Sequence, residues 1–223
     1  MKNITVATKE NIGYYPLLIE SCKRNNIELI VLGLGKKWTG FTMRFELWLK
    51  YLNNLNDNEI VMINDAYDVI IVEDSEIILE KFNKMDKPVI FGNQCGIYEC
   101  YIKNKKNTLC FGNIIGYVKY IKLIINKLYE SKELWKKFNN DDQLMLNYLY
   151  YNDETIKPII GIDIKNEIFF IASDINRLWN IKYMLYGDIN GLYMKNSKIY
   201  NENNTTISVL HLPANINGNT YLN

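Results

Sequence analysis

Apolar residues change period from segment to segment along the first part of the chain, and the changes mark out elements. Ile4-Thr5-Val6-Ala7 is a short, β-branched-rich run, and Tyr14 to Arg24 shows helical spacing. Ile27 to Leu32 is a second strand-like run, closed by Gly33 and Gly35. Together they predict a βαβ unit. Phe41, Phe45, Leu47, Trp48, Leu52 and Leu55 recur at helical spacing and lead into Ile60-Val61-Met62-Ile63, an apolar run of the kind covered on both faces in an α/β sheet. Ser75 is the expected N-cap of a helix over Glu76 to Lys84, with acids in its first turn. Pro88 opens a further strand, Val89-Ile90-Phe91, and this alternation predicts an α/β fold with a mostly parallel sheet.

Beyond about residue 92 the pattern is less regular. Tyr117 to Phe138 reads as one long helix and Asp141 to Tyr151 as another, capped by Asn139 or Asn140 with its acids at the positive end of the helix dipole. A last apolar run, Ile207 to Leu210, ends in His211. No repeat, low-complexity linker or Gly/Pro-rich hinge divides the chain, so residues 1–223 are expected to form one domain.

Composition adds exclusions. With 223 residues, 48% hydrophobic and 23% charged, the chain is long enough to bury a core without metals or disulfides. A net charge of +1 gives no electrostatic reason to bind nucleic acid or an anionic membrane, and the Lys103, Lys105, Lys106 cluster reads as a solvated loop. No apolar stretch approaches a membrane span and no signal sequence opens the chain, so a soluble, cytoplasmic protein is expected. Cys22, Cys95, Cys100 and Cys110 lack paired spacing and are expected to be reduced. Oligomeric state is left open.

The candidate chemistry begins where Ile60 to Ile63 stops. Asp65 and Asp68 follow, three residues apart, at the carboxyl end of a strand, where ligands bind in open parallel sheets. Two carboxylates there can hold a hard divalent cation and leave coordination positions for a diphosphate and water. They can equally shape a solvated turn. His211, the only histidine, also sits at a strand's end; an imidazole among the ligands suits Mn²⁺ better than Mg²⁺, although a lone His is more often simply hydrogen-bonded.

VATKE at 6 to 10, LGLGKKW at 32 to 38, INDAYDVI at 63 to 70, NDDQL at 140 to 144 and VLH at 209 to 211 occur in order over nearly the whole chain. In these motifs the chain resembles the glycosyltransferase domain of the collagen lysyl hydroxylase family, as a free-standing relative. The resemblance implies a GT-A-type glycosyltransferase domain with a Rossmann-like, mostly parallel central sheet flanked by helices. It implies a hexosyltransferase using Mn²⁺ and a UDP-sugar, UDP-glucose foremost, and moving glucose with retention to galactosyl-hydroxylysine of a collagen-like acceptor. Residue by residue, Asp65, Asp68 and His211 match the family's metal ligands, and Tyr67 its uracil-stacking aromatic. Val6, Ala7, Thr8 and Trp38 match positions bordering the nucleotide, and Asp141 and Asp142 the acidic pair beside the sugar, where capping is their structural alternative.

The chain also departs from the family. Leu212-Pro213-Ala214-Asn215-Ile216 replaces a Gly-Asn-Gly segment and its diphosphate-facing lysine, while Cys110, Gln94 and Tyr98 stand where the family has Asn, Glu and Trp. One histidine cannot supply the iron site of the hydroxylase domain. A phosphotransferase would need DxDxT after the first strand, where this chain has Ala7-Thr8-Lys9. The other alternative is a degenerate protein that binds a UDP-sugar or a partner without turnover.

Overall fold

The computed structural model describes residues 1–94, 107–172, 189 and 191–213. Cys95, Tyr98, Cys100, the Lys103–Lys106 cluster and Ala214, Asn215 and Ile216 lie outside the described residues. The elements run β1 (Lys2–Val6), α1 (Tyr15–Arg24), β2 (Glu28–Leu32), α2 (Phe41–Leu52), β3 (Ile60–Asn64), β4 (Val69–Ile71), α3 (Ser75–Lys84), β5 (Val89–Asn93), β6 (Leu109–Tyr117), α4 (Val118–Glu130), α5 (Lys132–Lys137), α6 (Asp142–Asn152), β7 (Ile160–Asp163), β8 (Phe169–Ile171), β9 (Leu192–Lys195), β10 (Lys198–Asn201) and β11 (Val209–His211).

The central sheet has strand order β2-β1-β3-β6-β5-β7. Every neighbouring pair is parallel except those of β6, which runs antiparallel to β3 and β5. A second sheet, β4-β11-β8, pairs β11 antiparallel to β4 and parallel to β8. On one face of the large sheet α2, α4, α5 and α6 enclose a core rich in aromatic rings, including Phe45, Trp48, Phe91, Phe111 and Trp135. On the other, Leu18 of α1 and Ile78 and Phe82 of α3 pack with Met62, Ile90 and Ile115 against Val69, Phe169 and Val209 of the small sheet.

The structure revises several expectations. α3 is capped by Asp74, whose Oδ1 accepts from the Glu76 backbone N–H at 2.9 Å, so Ser75 is the first helical residue. α6 is capped by Asp141, whose Oδ1 accepts from the Leu144 N–H at 2.8 Å. Asn139 and Asn140 have left-handed φ values of 49° and 61° and make the turn before it; a capping residue needs extended backbone, which Asp141 has. The long helix expected from Tyr117 divides at Ser131, where ψ is 67° and the hydroxyl turns back to the Lys127 carbonyl. Tyr117 itself ends β6. That strand, Leu-Cys-Phe-Gly-Asn-Ile-Ile-Gly-Tyr, has no clean alternation because it is buried on both faces.

Candidate functional site

β3 ends at Asn64, and the next four residues cross directly from the large sheet to the small one. The crossing fixes Asp65 and Asp68. The Asp65 N–H donates to the Gly112 carbonyl at 3.0 Å, and the Asp68 carbonyl accepts from the Leu212 N–H at 2.7 Å. Since β11 is in register with β4 and His211 lies opposite Val69, the imidazole arrives beside Asp68. Ligand atoms of Asp65, Asp68 and His211 all lie within 4.8 Å of one another.

These residues suit a divalent cation. Asp68 Oδ1 is fully buried and has no hydrogen-bond partner, an orphaned acceptor that a metal would satisfy. His211 Nε2 is 3.4 Å from Asp68 Oδ2, while Asp65 keeps 35% of its side-chain surface open. Gly112 makes the necessary room, because a Cβ there would lie 2.2 Å from Asp65 Oδ2 and 3.1 Å from His211 Cε1. Burial holds the Asp65 carboxyl above the usual range, with the Asp68 charge adding to the effect and Arg44 and His211 opposing it. Burial disfavours a charged His211, yet its contact with Asp68 outweighs that and raises its pKa well above the ordinary value. A cation bound here therefore competes with the imidazole proton.

A cleft of about 340 Å³ opens from the acids and is lined by Val6, Thr8, Trp38, Phe41, Arg44, Asp65, Ala66, Tyr67 and Asp68. Tyr67 braces the loop after β1: its hydroxyl accepts the Thr8 and Lys9 N–H groups at 2.8 and 3.0 Å. Trp38 is exposed and packs edge-on against Phe41, ring centroids 5.8 Å apart. Ala7 differs from its neighbours Val6 and Thr8, since it is buried with Tyr15 and Ala66 rather than facing the cleft.

Arg44, Gly112 and Asn113 were not singled out from sequence. Arg44 sits on the apolar face of α2, with Phe41, Trp48 and Phe111 rings around its guanidinium at 5.2, 4.7 and 5.1 Å. It donates through Nη1 to Asp65 Oδ1 at 3.0 Å and through Nη2 to Asp142 Oδ2. A cation in the middle of an otherwise aromatic helix face, one turn from Phe41 and Trp48, was the available signal. Asp142 is thus buried behind Arg44, its pKa pushed up to about 6 by burial against the opposing Arg44 charge. Asp141 spends one oxygen on the helix cap. Gln94 accepts a hydrogen bond from Gln143 Nε2 at 2.5 Å, and Cys110 Sγ lies 3.6 Å from Asn113 Oδ1 and 3.8 Å from His211 Nδ1.

The architecture is that of a GT-A glycosyltransferase. The galactosyltransferase LgtC, solved in complex with donor and acceptor sugar analogues, superposes with a TM-score of 0.55 at 15% identity, over 96% of this chain and 87% of that one. The family model of the PLOD GT domain matches residues 1–223, and the chain belongs to that family. The multifunctional procollagen lysine hydroxylase and glycosyltransferase of Caenorhabditis elegans is 30% identical over 74% of this chain and 25% of its own length. Human procollagen-lysine,2-oxoglutarate 5-dioxygenase 2 is 28% identical over 74% and 24% respectively. A protein of Acanthamoeba polyphaga mimivirus is 28% identical over 66% of this chain and 34% of its length. The chain thus spans about a quarter of the length of the collagen-modifying relatives it matches. Among the described residues no helix is long and apolar enough to cross a membrane.

Proposed function

We propose that this glycosyltransferase domain is a Mn²⁺-dependent hexosyltransferase that takes glucose from UDP-glucose, with retention, to a hydroxyl of galactosyl-hydroxylysine in a collagen-like chain. The observation that carries the reading is the convergence of Asp65, Asp68 and His211 at the inner end of the cleft bordered by Val6, Thr8, Trp38 and Tyr67. When bound, the cation would offset charge growing on the departing diphosphate. The half-buried Tyr67 ring and the exposed Trp38 ring line the cleft and offer apolar faces to a base, and the Tyr67 hydroxyl holds the Thr8–Lys9 backbone in place. Arg44 faces the same cleft, and Asp142 orients it from behind. Asp142 therefore reaches the sugar side through Arg44, whereas Asp141 sets the start of α6. The donor sugar and acceptor class rest on the family and on the names of its collagen-modifying relatives.

The test is UDP release from a panel of UDP-sugars, with Mn²⁺ or chelator and with or without galactosyl-hydroxylysine peptide, using Asp68→Ala as control. Manganese-dependent release from UDP-glucose, stimulated by the peptide and lost in the variant, is the expected result. Release without stimulation would replace the acceptor, and no release from any donor would convert the reading to a UDP-sugar-binding protein without turnover.

A further inference from the structure

The imidazole of His211 has a second contact, on the side of the ring away from Asp68. Nδ1 lies 2.5 Å from Asn113 Oδ1. An amide oxygen only accepts, so with Asn113 Oδ1 facing the ring Nδ1 carries a proton and donates it, and Nε2 is the nitrogen that offers a lone pair once a cation displaces the proton Asp68 holds there. The Asn113 amide is in turn held from behind. Its Nδ2 donates to Asn64 Oδ1 at 2.8 Å, Asn64 Nδ2 donates to Asn3 Oδ1 at 3.1 Å, and Asn3 Nδ2 reaches Cys22 Sγ at 3.7 Å. Asn3, Asn64 and Asn113 belong to the adjacent strands β1, β3 and β6 and are 0%, 1% and 0% exposed.

This row crosses a sheet face that otherwise carries Met62 and Ile115, in the core where Leu18 and Cys22 of α1 pack. Buried amides on an apolar face are costly unless each is satisfied, and apolar residues would pack there at less risk. The polarity of the row matters too. If every amide were turned over, the Asn113 NH₂ would face Nδ1 and force the ring proton onto Nε2, against Asp68, where it would exclude a cation. The Cys110 thiol, 3.6 Å from Asn113 Oδ1, is a further donor beside the oxygen and favours the orientation observed.

We propose that Asn113 is a positioning residue of the metal site: it accepts the Nδ1 proton of His211 and so holds the tautomer that presents Nε2 to the Asp65–Asp68 cluster, with Asn64 and Asn3 fixing the amide's direction. The inference rests on the metal reading of that cluster. Hydrogen bonds of this kind orient metal-bound imidazoles, and their loss typically weakens metal affinity about 10- to 100-fold.

His211 is the only histidine in the sequence, so its ring nitrogens give a single set of ¹⁵N resonances. In the metal-free wild-type protein, at a pH high enough for the ring to be neutral, the remaining proton is expected on Nδ1, and a neutral ring protonated on Nε2 overturns the proposal. Mn²⁺ affinity, measured by paramagnetic resonance of the free ion with UDP present, is expected to fall about 10- to 100-fold in Asn113→Leu. Asn113→Asp, which keeps an acceptor in the same place, is expected to bind at least as tightly as wild type. Unchanged affinity in Asn113→Leu, or equal loss in both variants, overturns the role; should Asn113→Leu not fold, the wild-type resonance and Asn113→Asp decide. Asp68→Ala separates the two readings. Undiminished Mn²⁺ binding there removes the metal site itself, whereas loss at Asp68→Ala without loss at Asn113→Leu removes only the part given to Asn113.

Discussion

His211 is backed by neutral amides and Asp65 by a guanidinium, so the two flanks of one cluster stand on different physics. Behind His211, Asn113, Asn64 and Asn3 exchange hydrogen bonds in a row and carry no charge. Behind Asp65, Arg44 bridges to Asp142, placing one cation between two carboxylates under a lid of aromatic rings. The amide flank orients a ring and is insensitive to pH. The ionic flank sets the charge of the cleft and responds to pH, because burial favours the neutral carboxyls while Arg44 favours their ionised forms, and a buried ion stripped of its partner costs far more than a neutral group in the same position.

Removing Arg44 is the most severe way to break the comparison. Arg44→Met keeps much of the packing volume but leaves Asp65 and Asp142 without their counter-ion. The expected loss is about 3–5 kcal/mol, read as a lower urea midpoint. Adding Asp142→Leu should restore part of it, since the second change removes one of the stranded charges. A double variant no more stable than Arg44→Met would show that the bridge is not the cause.

Asp142→Asn probes the same flank through pH. The folded-state pKa of Asp142 is raised to about 6, above the ordinary Asp value of about 3.9. The native state then binds this proton more tightly than the unfolded chain does. Its contribution to stability is greatest below about pH 4 and is lost as pH rises through about 6. The variant lacks that loss, so its stability relative to wild type should rise across this interval, by up to about 3 kcal/mol. Urea titrations at both ends of the interval measure it, and parallel curves for the two proteins would contradict the assignment. The same substitution should lower turnover more than UDP affinity; an equal fall in both would argue against a role for Asp142 on the sugar side.

The parts of this site legible in the sequence are those where one residue breaks a local pattern. Asp65 and Asp68 end an apolar run, and His211 has no competitor of its kind. Arg44 left a fainter trace, since its spacing from Phe41 and Trp48 puts it on the apolar face but a long cation can also extend to solvent. Asn113 could not be read at all. Its meaning depends on β6 entering the sheet antiparallel between β3 and β5, a long-range pairing that no short window of sequence encodes. The caps failed for a local reason: Ser75 and Asn140 are good capping residues, but Asp74 and Asp141 stand next to them and adopt the extended backbone a cap requires.

The smallest expected effect belongs to the far end of the amide row. Asn3→Leu keeps the branched side-chain shape, removes the acceptor of Asn64 Nδ2, and leaves that donor buried and unpaired. A lost neutral partner of this kind costs about 1–3 kcal/mol. No titrating group in the row changes charge, so the cost should be the same at about pH 5 and about pH 8, in contrast to Asp142→Asn. Asn113 keeps its donor contact to Asn64 Oδ1 in this variant, so Mn²⁺ affinity should fall less than in Asn113→Leu. A stability cost that varied with pH would mean the amide row is coupled to the ionic flank through the strands they share. The two halves of the site would then have to be treated as one electrostatic unit.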